Sequence, residues 1–336
     1  MASRSKRVVM SPFTRRLGDI SNNKTKNTTS PSATPLNSTL TTMGSTEEPT
    51  GNFLLDYPRP VKTYRSQNYS RISPANFDGK GKTVLVTGGA TGVGWAITHA
   101  FAETGAARLV LISRSPGPLE KAKKDLHASH PNLEVLTYAA SMTDHARMDQ
   151  ILTEVGTIDI LILCGAATHK HIPSIQVDTA EMQETFDTNV VAPFHIIKIY
   201  LGLPGPKTKT VINISSSAAH MQIPNQVGYG SSKAAFNQIM SLYATEHVPA
   251  DGVRLFSVHP GVFYTPMAAT QYGEGDFPWE DIEVPAGFCL WLGLAGSEAD
   301  FLHGRFVWAQ WDVDELIALR GKVESDRNFL KIGLMQ

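Results

Sequence analysis

From about residue 81 the chain alternates short apolar runs with longer helical stretches. Lys82 to Thr87, Arg108 to Arg114, Leu133 to Tyr138, Ile158 to Leu163, Lys209 to Ile214 and Arg254 to Val258 are rich in Val, Ile and Leu. Runs this short and this apolar predict buried strands. Between them lie predicted helices: Trp95 to Thr104, a lysine-rich exposed one over residues 119–129, Asp144 to Thr153, Ala180 to Tyr200, and one carrying Tyr229 and Lys233 to about Glu246. Pro193 predicts a kink just after it. Pro285 to Ala295 reads as a further helix, Gly304 to Trp308 as a seventh strand, and Asp314 to Leu319 as a short exit helix. Strands alternating with helices predict an α/β fold: a doubly wound, mostly parallel sheet of about seven strands with helices on both faces. In such sheets ligands bind beyond the carboxyl ends of the strands.

Residues 1–78 break this pattern. They are rich in Ser, Thr, Asn and Pro and show no sustained apolar period. They predict a largely disordered extension ahead of one domain spanning 79–336, because Asn22 to Thr42 carries too little apolar surface to offset its ordering entropy. The first 16 residues hold Arg4, Lys6, Arg7, Arg15 and Arg16 and no acid. A mitochondrial transit peptide and a phosphorylated segment around Ser11-Pro12 are the other readings of this stretch. Phe53, Tyr57, Tyr64 and Tyr69 suit packing across the domain surface.

Composition narrows the class. Among 336 residues, 42% are hydrophobic and 18% charged, which supplies a normal core. A net charge of -1 points to neither nucleic acid nor an anionic membrane. No apolar run approaches the ~20 residues needed to span a bilayer. The two cysteines, Cys164 and Cys289, sit in apolar surroundings without metal-type spacing, which predicts a reduced compartment, the cytoplasm first. No metal site is predicted.

The candidate chemistry lies at predicted strand ends. The first strand runs into Gly88-Gly89-Ala90-Thr91-Gly92-Val93-Gly94 and then a helix. Glycines there allow positive φ and close backbone approach, and a helix N-terminus attracts phosphate. The second strand ends in Ser113-Arg114 with no carboxylate. An arginine there can hold a 2′-phosphate, so NADP(H) is favoured over NAD(H). Small residues, Gly165-Ala166-Ala167, end the fourth strand, the fifth delivers Ser215 to Ser217, and the sixth ends in His259-Pro260-Gly261. Tyr229 and Lys233 are four apart and share a helix face. A cation there is expected to lower the phenol's pKa and make it an acid or base near neutral pH. Asn189, amid apolar neighbours, must find partners, structural or catalytic. Val262 to Glu283 is aromatic and glycine-rich, a candidate substrate lid or a plain surface excursion.

These motifs, from about residue 79 to about 320, resemble the short-chain dehydrogenase/reductase family. The resemblance rests on Thr87-Gly88-x-x-x-Gly92-x-Gly94, Asn189, Ser215-Ser216, Tyr229-x-x-x-Lys233 and Pro260-Gly261, in the family's order. The stretch from Gly304 to Leu316 looks like a branch common among filamentous fungi. The resemblance implies a Rossmann fold and hydride transfer between a nicotinamide cofactor and a small-molecule carbonyl or alcohol. It implies Tyr229 as general acid or base and Lys233 as holder of the nicotinamide ribose and modulator of Tyr229. Ser216, thirteen residues before Tyr229, would polarise the substrate oxygen, with Ser215 as the alternative. Asn189 would anchor a proton-relaying water. Gly88, Gly92 and Gly94, with Thr91 and Val93, would form the pyrophosphate turn, and Val262 and Thr265 would meet the nicotinamide end. Pairing through the helices of Asn189 and Tyr229 implies a homodimer or homotetramer. Two departures stand out. Asn-Asn-Ala-Gly becomes Leu163-Cys164-Gly165-Ala166, losing side-chain bonds that brace the sheet, and the usual Asp after the third strand is Ser141. The aromatic segment suggests a bulky ketone, for example of secondary metabolism. A dinucleotide-binding sensor without catalysis is the competing reading; its sign would be an eroded Tyr–Lys pair, and that pair is intact. Dehydration or epimerisation is the third; its usual Gly-x-x-Gly-x-x-Gly is not seen here.

Overall fold

The computed structural model describes residues 56–334. β1 (Thr83–Thr87) and β4 (Ile160–Leu163) are buried at every position, as a short β-branched run and an apolar run predicted. The remaining strands are β2 (Arg108–Ser113), β3 (Glu134–Ala139), β5 (Lys209–Ile214), β6 (Val253–His259) and β7 (Phe306–Trp308). They pair in the order β3-β2-β1-β4-β5-β6-β7, parallel throughout rather than mostly. The order reverses between β1 and β4, which opens a crevice at their carboxyl ends.

Nine helices are seen among the described residues: α1 (Gly92–Glu103), α2 (Pro116–Ser129), α3 (His145–Val155), α4 (Thr179–Phe186), α5 (Ala192–Gly202), α6 (Val227–Glu246), α7 (Glu283–Leu294), α8 (Val313–Ala318) and α9 (Arg320–Ser325). Strand side chains alternate between the two faces. Val84, Val86, Leu109, Leu111, Ile160 and Ile162 pack with α1, α2 and α7. Leu85, Val110, Ile112, Leu161 and Leu163 pack with α3, α5 and α6. Each such fully buried aliphatic side chain contributes about 1.5–3 kcal/mol.

Two features depart from expectation. The irregularity at Pro193 falls before it, not after it. α4 and α5 are joined by a π-turn, Asp187–Val191, in which the N–H of Ala192 reaches back to the carbonyl of Asp187. Pro193 has no N–H to give and its ring crowds the preceding turn, so the ladder widens on its N-terminal side. The second departure concerns the extension. Residues 1–55 lie outside the described residues, but residues 56–78 pack on the domain. Ile72 is fully buried. A Cβ on Gly287 of α7 would lie 2.5 Å from the Ile72 carbonyl. That cover explains why α7 is apolar all round, with Val284 to Gly293 buried. No helix among the described residues is long and apolar enough to cross a membrane.

Candidate active site

The β1–α1 turn is shaped by its glycines. Gly88 and Gly92 adopt φ of +69° and +53°, which a side chain disfavours. A Cβ on Gly94 would stand 2.2 Å from the Gly88 carbonyl oxygen. Thr91 precedes α1 and makes no side-chain cap, so the first N–H groups of the helix stay open. They face a cavity of about 680 Å³. Its wall includes Gly88, Thr91, Gly92, Val93 and Gly94. Thr265 lines it too, its methyl 3.1 Å from where a Gly92 Cβ would sit.

Ser113 and Arg114, at the end of β2, line the same cavity. Arg114 is exposed, and among the described residues it has no ion pair or hydrogen bond. Ser141 and Met142 stand nearby. The Ser141 hydroxyl is spent on Thr143 at 2.8 Å. Met142, unnoticed in the sequence, presses its sulfur and terminal methyl against Gly165, 2.9 Å from a Cβ there. The brace lost with the family's asparagines has a substitute. Thr87 Oγ1 accepts the amides of Cys164 and Gly165 at 3.0 and 3.1 Å, tying β1 to the end of β4.

Tyr229 and Lys233 stand one turn apart on α6 and both line this cavity. The Lys233 ammonium, in a side chain only 5% exposed, donates to the carbonyl of Ile214 at 2.8 Å. It lies 5.8 Å from the centre of the Tyr229 ring. The expected depression of the phenol is not seen here. Desolvation pushes the Tyr229 phenol up to about 12, and the Ser216 hydroxyl bonded to it draws it back. Desolvation brings Lys233 down to about 8. The amine gives its bond to the strand-end carbonyl, so burial decides both groups. Cys164 lies beside them, its thiol pushed up to about 11 by burial.

Of the two candidate serines, Ser215 lines the cavity but its hydroxyl accepts from Asn237 Nδ2 at 2.8 Å. Ser216 Oγ accepts only a local amide, Ala218 N–H at 3.2 Å, and stands beside Tyr229. Asn189 is 3% exposed and sits in the π-turn. Its Oδ1 accepts from the amide of Ala167 at 2.8 Å. Its Nδ2 donates to the carbonyl of Ala167 and the hydroxyl of Ser232 at 2.8 and 3.0 Å. That side chain clamps the β4 end to α6. Pro193, four residues on, offers the Asn189 carbonyl no α-helical bond. Ser216, Asn189 and Val262 thus stand just outside the cavity wall, and the other sequence candidates form it.

The 262–283 segment is closed at its base, where Val262 and Glu280 exchange bonds: the Val262 amide to Glu280 Oε2 at 2.8 Å, the Glu280 amide to the Val262 carbonyl at 3.0 Å. Tyr272, Phe277 and Trp279 stack edge to face at 5.0 and 5.2 Å. The Tyr272 hydroxyl is 2.9 Å from Nδ1 of His171, on the loop after β4. Glu280 and His171 had no signal in the sequence, because their partners are about eighteen and a hundred residues away.

The family model described as short chain dehydrogenase matches residues 82–274. The chain is 53% identical over 278 residues to the short chain dehydrogenase/reductase AacuD of Aspergillus aculeatus, covering 82% of this chain and 97% of that protein. The chain belongs to the short-chain dehydrogenase/reductase family. It is also 47% identical to the short chain dehydrogenase/reductase nsrO of Aspergillus novofumigatus, over 83% of this chain and 97% of that one. Among solved structures, a putative short chain dehydrogenase from Pseudomonas syringae superposes with a TM-score of 0.62 at 25% identity, covering 69% of this chain and 96% of that one. As a short-chain dehydrogenase/reductase the protein is an oxidoreductase for a small-molecule substrate, with a dinucleotide cofactor of the NAD(P) type. The crevice suits such a cofactor: the glycine turn, packed so tightly that a side chain at Gly94 would strike the Gly88 carbonyl, the open helix N-terminus and Arg114 all line one cavity. Among the described residues no three His, Cys, Asp or Glu gather as a metal-holding group.

Proposed function

We propose that the protein is an NADP(H)-dependent oxidoreductase that interconverts a carbonyl and a secondary alcohol, with Tyr229 as the proton-transfer group. The observation that carries this reading is that Tyr229 and Lys233 line the same cavity as the glycine turn. The bound nicotinamide would supply the hydride. Gly88, Thr91, Gly92, Val93 and Gly94 would hold the pyrophosphate, and Val262 and Thr265 the nicotinamide end. Arg114 and Ser113 would take the 2′-phosphate; an exposed guanidinium at the β2 end supports NADP(H) over NAD(H).

With its pKa at about 12, Tyr229 keeps its proton at neutral pH. That favours its use as the acid, giving the phenolic proton to the carbonyl oxygen during reduction. The Ser216 hydroxyl would orient that oxygen. Lys233 would hold the ribose hydroxyls, and its charge beside the phenol would stabilise the phenolate left after transfer. Asn189 would anchor a water that returns a proton to Lys233. The aromatic lid, Tyr272, Phe277 and Trp279, supports a bulky aromatic ketone, such as one from secondary metabolism, as substrate.

A homodimer or homotetramer through α5 and α6 is part of the proposal: Val191, Phe194 and Leu242, at or on these helices, expose 43%, 42% and 52% of their surface. Unpaired Cys164 and Cys289 support a cytoplasmic setting. The test is a screen of NADPH oxidation over a ketone panel, with NADH in parallel. Turnover of at least one bulky ketone, faster with NADPH, is the expected result. Tighter binding of NADH would overturn the cofactor assignment.

A further inference from the structure

Residues 56–72 run ahead of β1 and take no place in its sheet, yet their polar groups end on two turns of the active-site edge. The first turn carries Ser216. His220 closes it, its N–H bonded to the Ser217 carbonyl at 3.0 Å. The indole Nε1 of Trp308 donates to His220 Nε2 at 3.1 Å. An indole only donates, so Nε2 is the acceptor and Nδ1 of the neutral ring carries the hydrogen. Nδ1 donates it to the hydroxyl oxygen of Tyr57, 3.0 Å away. The Tyr57 ring lies stacked on Trp308, 5.6 Å between centres. From the other side, Nδ1 of the buried His259 accepts the Ser217 amide at 2.9 Å. Burial brings His220 down to about 4 and His259 to about 3, so both rings stay neutral near pH 7.

The second turn, Pro260 to Val262, includes Gly261 at φ +116°. Glu280 holds one side, accepting the Val262 amide at 2.8 Å and the Tyr64 hydroxyl at 2.7 Å. Gln310 holds the other, its side-chain Nε2 donating to the Pro260 carbonyl at 2.6 Å while its main-chain carbonyl accepts the Arg65 amide at 2.7 Å. Neighbouring strap residues thus grip both sides of the turn through one intermediary each. The grip has its own anchor. Arg65 pairs with Asp312 at 2.7 Å, Glu315 accepts the Thr63 hydroxyl at 2.6 Å, and Ile72 is fully buried.

We infer that residues 56–72 form a positioning strap for the reaction: Tyr57 sets the turn that presents Ser216, and Tyr64 sets the turn that leads to Val262 and Thr265. The inference rests on the hydride-transfer reading for its effect on rate, but not for its effect on the turns. Neither tyrosine touches the cofactor cavity. Removing a hydroxyl leaves each ring packed and takes away one bond, so the turn loosens while the fold stays.

The test uses the full chain with Tyr57→Phe, Tyr64→Phe and, as a destabilising control away from the strap, Val323→Ala in the buried face of α9. Three readouts are compared: amide hydrogen exchange without substrate, NADPH affinity, and kcat. Tyr57→Phe is expected to speed exchange at residues 216–220 and lower kcat about tenfold with NADPH affinity unchanged, since small misplacements at a reacting centre are costly. Tyr64→Phe is expected to speed exchange at 260–265 and weaken NADPH about tenfold. Val323→Ala should lower Tm and leave both quantities as in the wild type. Wild-type exchange in both turns would overturn the inference, as would rate losses that follow Tm equally in all three variants. If no ketone were turned over, the reductase reading would fail while exchange and NADPH affinity still judged the strap.

Discussion

The two halves of this active-site edge are built by different means. On the β1–β2 side, the half we assign to the cofactor is mostly backbone: a glycine turn, an open helix end and one arginine, all within a short stretch of chain. On the β5–β6 side, the half we assign to the substrate is a set of turns tied to distant side chains. Tyr57 reaches His220 across 163 residues, and Tyr64 reaches Glu280 across 216. On that assignment, a local motif suffices for a cofactor phosphate that does not change with the substrate. A site that must fit one particular small molecule draws on segments far apart in the chain, so its geometry needs long-range ties.

Lys233 stands in both halves, and its loss should have the largest effect. Lys233→Met is expected to lower kcat about a thousandfold and to weaken NADPH, as seen by steady-state kinetics and fluorescence titration. A variant that lost only affinity would confine Lys233 to the cofactor half. Gly94→Ala strikes that half alone. Its new methyl would stand 2.2 Å from the Gly88 carbonyl oxygen, so NADPH affinity should fall about a hundredfold, measured by calorimetry. Unchanged affinity would remove the glycine turn from the phosphate site. Arg114→Ala is finer still: the preference for NADPH over NADH should fall about tenfold with NADH affinity unchanged. The smallest effect is in the pH profile. Burial holds Lys233 near 8, below its usual 10.5, so the amine is charged below pH 8 and neutral above. The reduction rate with NADPH is expected to decline as pH rises through about 8, and a rate still climbing through pH 9 would sever the link to Lys233.

The fold and the cofactor half were legible because their signals are local. Ile158 to Leu163 announces a buried strand by its own side chains, and Gly88 to Gly94 announces a turn by its own spacing. Pro193 was legible as a break, but the side of the break depends on which backbone N–H is missing, and the π-turn lies at Asp187–Val191. The Tyr229 environment was not legible. Its pKa follows from burial, and Lys233 spends its bond on Ile214, a partner nineteen residues away. The loss of the asparagines after β4 looked like a missing brace, and Thr87 supplies one from another strand. Residues 56–78 carry scattered aromatics with no period; Tyr57, Tyr64 and Tyr69 suited packing on the domain surface, but the partners that fix where they pack lie far along the chain.

Tyr229→Phe separates the halves most cleanly, because Tyr229 lines the cavity but, in the function we propose, acts on the substrate. NADPH binding and NADPH oxidation by a ketone should be measured on the same sample. Affinity within about twofold of wild type, with turnover reduced by about 10²–10⁴, is the expected result. Turnover close to wild type would contradict proton transfer by Tyr229.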